Sequence, residues 1–134
     1  MNVEEKKIAH LEMIQGVLNR MAGNSFMLKG WSVTLVAAII ALAQKETNLN
    51  FIYLAFFPAS IFWFLDAYYL WQEKLYRKLY DEVRISTTEI DYSMDTSKLK
   101  NKLPCYFCIC FSKTIILFHG VIISSIFIVK KYLM

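Results

Sequence analysis

FIYLAFFPASIFWFLDAYYLW, residues 51–71, is an almost wholly apolar stretch whose single charge is Asp66. A helical run of about 20 apolar residues matches the ~30 Å hydrocarbon core of a bilayer. A soluble domain of 134 residues has no interior wide enough to hide so aromatic a rod. The segment therefore predicts an integral membrane protein. Asp66, near one end of the span, becomes the first residue in need of a physical account.

Composition points the same way. The chain is 57% hydrophobic and 16% aromatic, and its charged fraction of 19% lies below the roughly 25% of soluble domains. One compact membrane domain over residues 1–134, with no separate enzyme module, is the expected organisation. The net charge of +4 comes mainly from segments flanking apolar runs. That pattern suits anionic lipid headgroups and argues against a nucleic-acid partner. Residues 30–43 (GWSVTLVAAIIALA) also resemble a signal-peptide core ending in a small-residue cleavage site. The long patterned segment before them favours a retained span.

Outward from residue 51, the chain reads as helices. Residues 1–24 form an amphipathic helix, because Ile8, Leu11, Ile14, Leu18 and Met21 recur at steps of three and four. Gly23-Asn24-Ser25 carries stop-and-restart chemistry. Residues 26–43 are a first span, with Lys29 near its start, and the polar stretch 44–50 closes a hairpin. The second helix runs over 51–85 and projects past the bilayer as a cytoplasmic extension. There Leu75, Leu79 and Val83 share a face, and Glu73–Arg77, Arg77–Asp81 and Lys78–Glu82 are opposite charges one turn apart. Pro58 is a candidate kink. Residues 86–104 are a polar linker. Residues 105–131 form a third apolar helix, interrupted by Lys113, which either spans or packs as a buried or re-entrant helix. The fold class is thus all-α: a transmembrane hairpin with an N-terminal amphipathic helix, an extended second helix and a third membrane helix. The excess of Lys and Arg in the N-terminal segment and the linker puts the N-terminus in the cytoplasm of a cell whose inner membrane holds the chain.

No catalytic constellation, phosphate loop or metal-ligand set appears, so neither enzyme activity, a cofactor nor a metal is expected. Lys29 and Asp66 lie at nearly equal depth in adjacent spans and are expected to pair, as a register lock or as part of a water-filled path. His119 is a third polar group in an apolar helix, with Ser124 and Ser125 beyond it. Ser32, Thr34, Ala37, Ala38 and Ala41 form a small-residue face suited to helix packing. Cys105-x-x-Cys108-x-Cys110 resembles part of a metal or redox site that lacks a fourth ligand, but the intervening Phe107, Ile109 and the following Phe111 favour buried small apolar cysteines; lipidation of one at the interface stays open. In the projecting collar, Ile8, Leu11 and Ile14 are expected to pack on Leu75, Leu79 and Val83.

HLEMIQGVLNRMAGNSFMLKGWSVTLV (residues 10–36) and LDAYYLWQEKLYRKLYDEVR (residues 65–84) give the chain an architecture that resembles the SLATT-type two-span effectors of bacterial conflict systems. The resemblance covers residues 10–85 and assigns no functional residue. It implies a homo-oligomer in the lipid bilayer of the inner membrane. Such an assembly would alter permeability in anti-phage defence when a signalling protein or nucleotide signal triggers it. An accessory subunit of a larger membrane complex and a small multidrug-type transporter are the rival readings.

Overall fold

Asn2 opens the first helix. Its side chain accepts the Glu5 N–H at 2.8 Å while the Glu5 carboxylate accepts the Asn2 N–H at 2.8 Å. This capping box satisfies two of the donors that a helix start leaves free. The helix that follows, α1, runs unbroken over Val3–Ala43. Its 41 residues extend about 62 Å, twice a bilayer core. The computed structural model describes residues 2–45, 49–87 and 90–133. Residues 46–48 of the expected hairpin loop and residues 88–89 of the expected linker lie outside the described residues.

The continuity of α1 corrects the expected break at Gly23-Asn24-Ser25. Gly in a helix interior costs only about 1 kcal/mol. The buried residues on both sides of it, Val17 and Leu18 before, Ser32 and Val36 after, belong to one inward face. Ser25 does not cap; its hydroxyl donates to Asp66.

A 3-10 helix over Leu49–Ala55 leads into α2, Phe56–Ile85. Pro58 falls in the first turn of α2, where its missing N–H costs little, so it marks the junction and is not a mid-span kink. The far end of α2 is tied to the start of α1, because the Lys7 ammonium donates to the carbonyls of Arg84 (3.1 Å) and Ser86 (2.9 Å). The chain then returns along the stalk, the paired N-terminal part of α1 and C-terminal part of α2 around Ile14, Leu18, Leu75, Leu79 and Val83. A 3-10 helix over Ser97–Lys102 inserts Leu99 into the apolar cluster of Ile14, Leu18, Leu75, Leu79 and Val83. The Lys102 ammonium pairs with Glu82. The expected linker is therefore a docked segment.

The third apolar stretch is two helices, α3 (Tyr106–Cys110) and α4 (Lys113–Leu133), separated at Phe111-Ser112. The Cys110 carbonyl accepts from the Trp63 indole at 2.8 Å and is not used to continue the helix. At the opposite end of the bundle, Val36, Ala43, Ile52, Ala55, Ala59, Ile122 and Ile126 form a second apolar cluster shared by α1, α2 and α4. Beyond it the Lys130 ammonium meets the Tyr53 hydroxyl.

Three helical segments are long and apolar enough to cross a membrane: Val3–Ala43, Asn50–Ile85 and Lys113–Tyr132. At most 28% of the apolar window of any of them is buried within the chain. Phe26, Trp31, Phe57, Phe64, Leu117 and Phe127 face outward, as lipid contact requires. The protein is an all-helical, multi-span membrane protein.

The stalk rests on a different α1 face from the expected one. Ile14 and Leu75 are fully buried, Leu11 is half-buried, and Ile8 is 54% exposed. His10 takes the inward place next to Ile8 and lies edge-on to Tyr92, with ring centroids 5.6 Å apart. The helical face is rotated because the inward row is His10, Ile14, Val17 and Leu18. Leu75→Ala is expected to destabilise the protein by about 2–5 kcal/mol, and Ile8→Ala by less than about 0.5 kcal/mol. Denaturant unfolding in micelles measures both; equal losses would contradict the observed face.

Candidate functional site

Asp66 is fully buried, yet both carboxylate oxygens have partners. Oδ1 accepts from the Lys29 ammonium at 2.7 Å and from the Ser25 hydroxyl at 2.5 Å. Lys29 also donates to the Ser25 oxygen at 2.8 Å, which closes a three-membered ring of contacts. On the other side, Oδ2 lies 3.0 Å from His119 Nε2. Ser25 and Lys29 sit one helical turn apart on α1, Asp66 lies on α2 and His119 on α4. One carboxylate thus joins all three spanning helices.

The surroundings fix the roles. His119 is 1% exposed, and its Nδ1 has no hydrogen-bond partner among the described residues. A proton on Nε2 donated to Asp66, with Nδ1 bare, leaves no buried N–H unpaired. The Trp63 ring stacks on the imidazole at 5.8 Å and 18°, which orients it. Lys29 is 22% exposed along its side chain and passes over the Phe118 ring at 5.8 Å. Its aliphatic stem can remain in apolar surroundings while its head reaches the carboxylate. Lys29 and Asp66 together are neutral, which limits the desolvation cost of the pair.

The three polar groups singled out in the sequence, Lys29, Asp66 and His119, meet at this one node. Ser25 and Trp63 complete it and were missed. Their signal was spacing alone, since Ser25 is one turn before Lys29 and Trp63 three residues before Asp66. Of the expected collar residues, Ile14, Leu75, Leu79 and Val83 share a buried cluster, Leu11 packs at its edge, and Ile8 does not join. The small-residue face divides: Ser32 is buried, whereas Thr34, Ala37, Ala38 and Ala41 point outward. The cysteine expectation is corrected as well. Only Cys110 is buried, while Cys105 and Cys108 are exposed because α3 is a single short turn-and-a-half at the edge of the bundle.

No group of three or more His, Cys, Asp or Glu side chains gathers into a metal-sized cluster among the described residues. A cleft of about 300 Å³ lies between α2 and the returning segment, lined by Glu82, Asp91, Asp95 and Lys98 over an apolar floor of Leu79, Val83, Ile90 and Leu99. The Ser97 backbone N–H and hydroxyl hold the Asp95 carboxyl below the usual carboxylate range. Lys102 pairs with Glu82, and Lys98 and Lys100 lie near Asp95, so these carboxylates are largely matched by lysines.

No protein-family model matches the chain, no curated protein matches it in sequence, and no solved structure matches it.

The node predicts strong non-additivity. Lys29→Met leaves the buried Asp66 without its countercharge and is expected to cost about 3–5 kcal/mol, whereas Asp66→Leu strands the 22% exposed Lys29 and is expected to cost about 1–3 kcal/mol. The double variant is expected to recover at least about half of the summed loss. Thermal unfolding in micelles of the four proteins of the cycle measures the coupling; additive losses would mean that the two side chains do not depend on each other.

Proposed function

We propose that the protein is a homo-oligomeric inner-membrane effector that alters the permeability of the bilayer, as the SLATT-type effectors of bacterial defence are thought to do. The observation that carries this reading is the outward column of α1. Gly16, Gly23, Gly30 and Ala37 recur every seven residues on the exposed side of α1, and the half-buried Ala9 continues the same spacing. A Cβ built on Gly16, Gly23 or Gly30 would meet nothing within 4 Å. Each of these glycines weakens an isolated helix by about 1 kcal/mol, and packing within one copy gives nothing back. Close approach of a neighbouring helix is the physical use of such a column. Copies with the same membrane orientation pack parallel, so the column of one meets a helix of the next at equal depth.

Thr34 and Ala41 extend the small surface one turn from the column, within the span. The stalk side of the bundle carries most of the Lys and Arg, so the N-terminus is assigned to the cytoplasm. A trigger would act there, on the stalk and its docked return segment.

The same outward column supports one second reading, an accessory subunit that packs on a larger membrane partner. A multidrug-type transporter is less well supported, because it needs a carboxylate open to a substrate cavity. Asp66 is buried with both oxygens occupied.

In lipid nanodiscs the purified chain is expected as a closed ring of about four or more copies, and in liposomes it is expected to release an entrapped dye. Gly23→Leu with Gly30→Leu is expected to keep the helical circular-dichroism signal, to stabilise the single chain by up to about 1 kcal/mol per site, and to abolish both assembly and leak. Sealed liposomes with a monomeric wild type would remove the autonomous effector reading. Retained assembly in the double variant would remove the glycine column from it.

A further inference from the structure

Cys105 and Cys108 stand apart from the polar node and from the outward column. Both thiols are exposed, and their sulfur atoms lie 2.7 Å apart. The backbone N–H of Cys108 also donates to the Cys105 sulfur at 3.4 Å. Cys110, two residues on, is 1% exposed and faces away. Two anchors hold the turn that carries the pair: the Tyr106 hydroxyl donates to the Phe64 carbonyl at 2.7 Å, and the Trp63 indole donates to the Cys110 carbonyl at 2.8 Å. The two sulfurs are therefore held side by side at the surface of the chain, on α2's flank.

We propose that Cys105 and Cys108 form a thiol–disulfide exchange site that reacts with small disulfides such as oxidised glutathione, Cys105 attacking and Cys108 resolving. In the first step the Cys105 thiolate attacks one sulfur of the disulfide. A new S–S bond forms to Cys105, the substrate S–S bond breaks, and one thiolate leaves and takes up a proton. In the second step Cys108, as thiolate, attacks the Cys105 sulfur. The Cys105–Cys108 disulfide forms and the second small thiol leaves. Two protein thiols are oxidised and one small disulfide is reduced to two thiols, so electrons and protons balance. A small dithiol reverses the reaction.

The order of roles follows from the two environments. Hydrogen bonds from the Cys108 thiol and then from the Cys108 amide lower the Cys105 thiol from its ordinary range, while the hydrogen bond to Cys105 raises that of Cys108. The Cys108 amide N–H aimed at the Cys105 sulfur favours an anion there, so Cys105 attacks first and Cys108 resolves. Burial keeps Cys110 out of the exchange. The site is independent of the oligomer reading and is testable in its absence.

The test uses the full chain in nanodiscs, treated with oxidised glutathione at neutral pH, acid-quenched and read by intact mass and peptide mapping. The expected wild-type product has lost two hydrogens, with Cys105 linked to Cys108 and Cys110 alkylated only after denaturation. Cys108→Ser is expected to stop at one glutathione on Cys105. Cys105→Ser is expected to react at least about tenfold more slowly at Cys108. Three results would overturn the proposal: a wild type that does not react, a wild type that accumulates a stable glutathione adduct, or equal reaction rates in the two single variants. A disulfide to Cys110 would also overturn it.

Discussion

The desolvation of Asp66 is the constraint around which the bundle is built. An isolated carboxylate moved out of water costs several kcal/mol even after the protein relaxes. Here the cost is offset by an ammonium and a hydroxyl on one oxygen and an imidazole on the other. Because these donors come from α1 and α4, the carboxylate on α2 is satisfied only when all three helices are in register. A slide of α1 by one residue would displace Lys29 by about 1.5 Å and turn it by about 100°, enough to leave the charge unpaired. Lipid offers no substitute partner, so the node acts as a register lock stronger than apolar packing alone, which differs little between neighbouring registers.

The two apolar clusters lie on opposite sides of this node. Toward the hairpin end, small residues such as Ala43, Ala55 and Ala59 let the helices approach closely among larger Ile side chains. Toward the stalk, Leu and Val from α1 and α2 close around Ile14 and Leu75, with Leu99 of the returning segment as the lid. The first cluster packs where the solvent is hydrocarbon, so van der Waals fit and helix approach dominate. The second packs where the chain leaves the membrane, so apolar burial adds its usual driving force. α1 and α2 are long enough to serve both, which is why a short chain carries helices of 41 and 30 residues.

Much of this was legible in the sequence, for physical reasons. The apolar runs report the length of membrane crossings directly, and two opposite charges at equal depth in a low-dielectric medium have few alternatives to pairing. Other features depend on competition between local and tertiary effects. Gly23-Asn24-Ser25 has the chemistry of a break, yet cap preferences of about 1 kcal/mol yield to a continuous inward face and to a hydroxyl recruited by Asp66. Ile8 looks like a core residue by hydropathy, but the row through His10 and Ile14 faces α2, and a helical face is set by all its contacts at once. The exposure of Cys105 and Cys108 depends on where α3 ends, and that end is decided by the Trp63 indole taking the Cys110 carbonyl. Nothing near the cysteines in sequence encodes it.

Lys29 and Gly30 are neighbours on α1 with opposite tasks. Lys29 turns toward Asp66, while Gly30 belongs to the outward column with open space above it. A helix is stiff over a few residues, so a neighbour that seats against Gly30 cannot shift α1 without moving the ammonium relative to its carboxylate. The node is sensitive to such movement because its contacts are short and directional, whereas the apolar clusters are tolerant of it. In the proposed oligomer, a neighbour on the glycine column would therefore press on the same turn of α1 that holds the polar node.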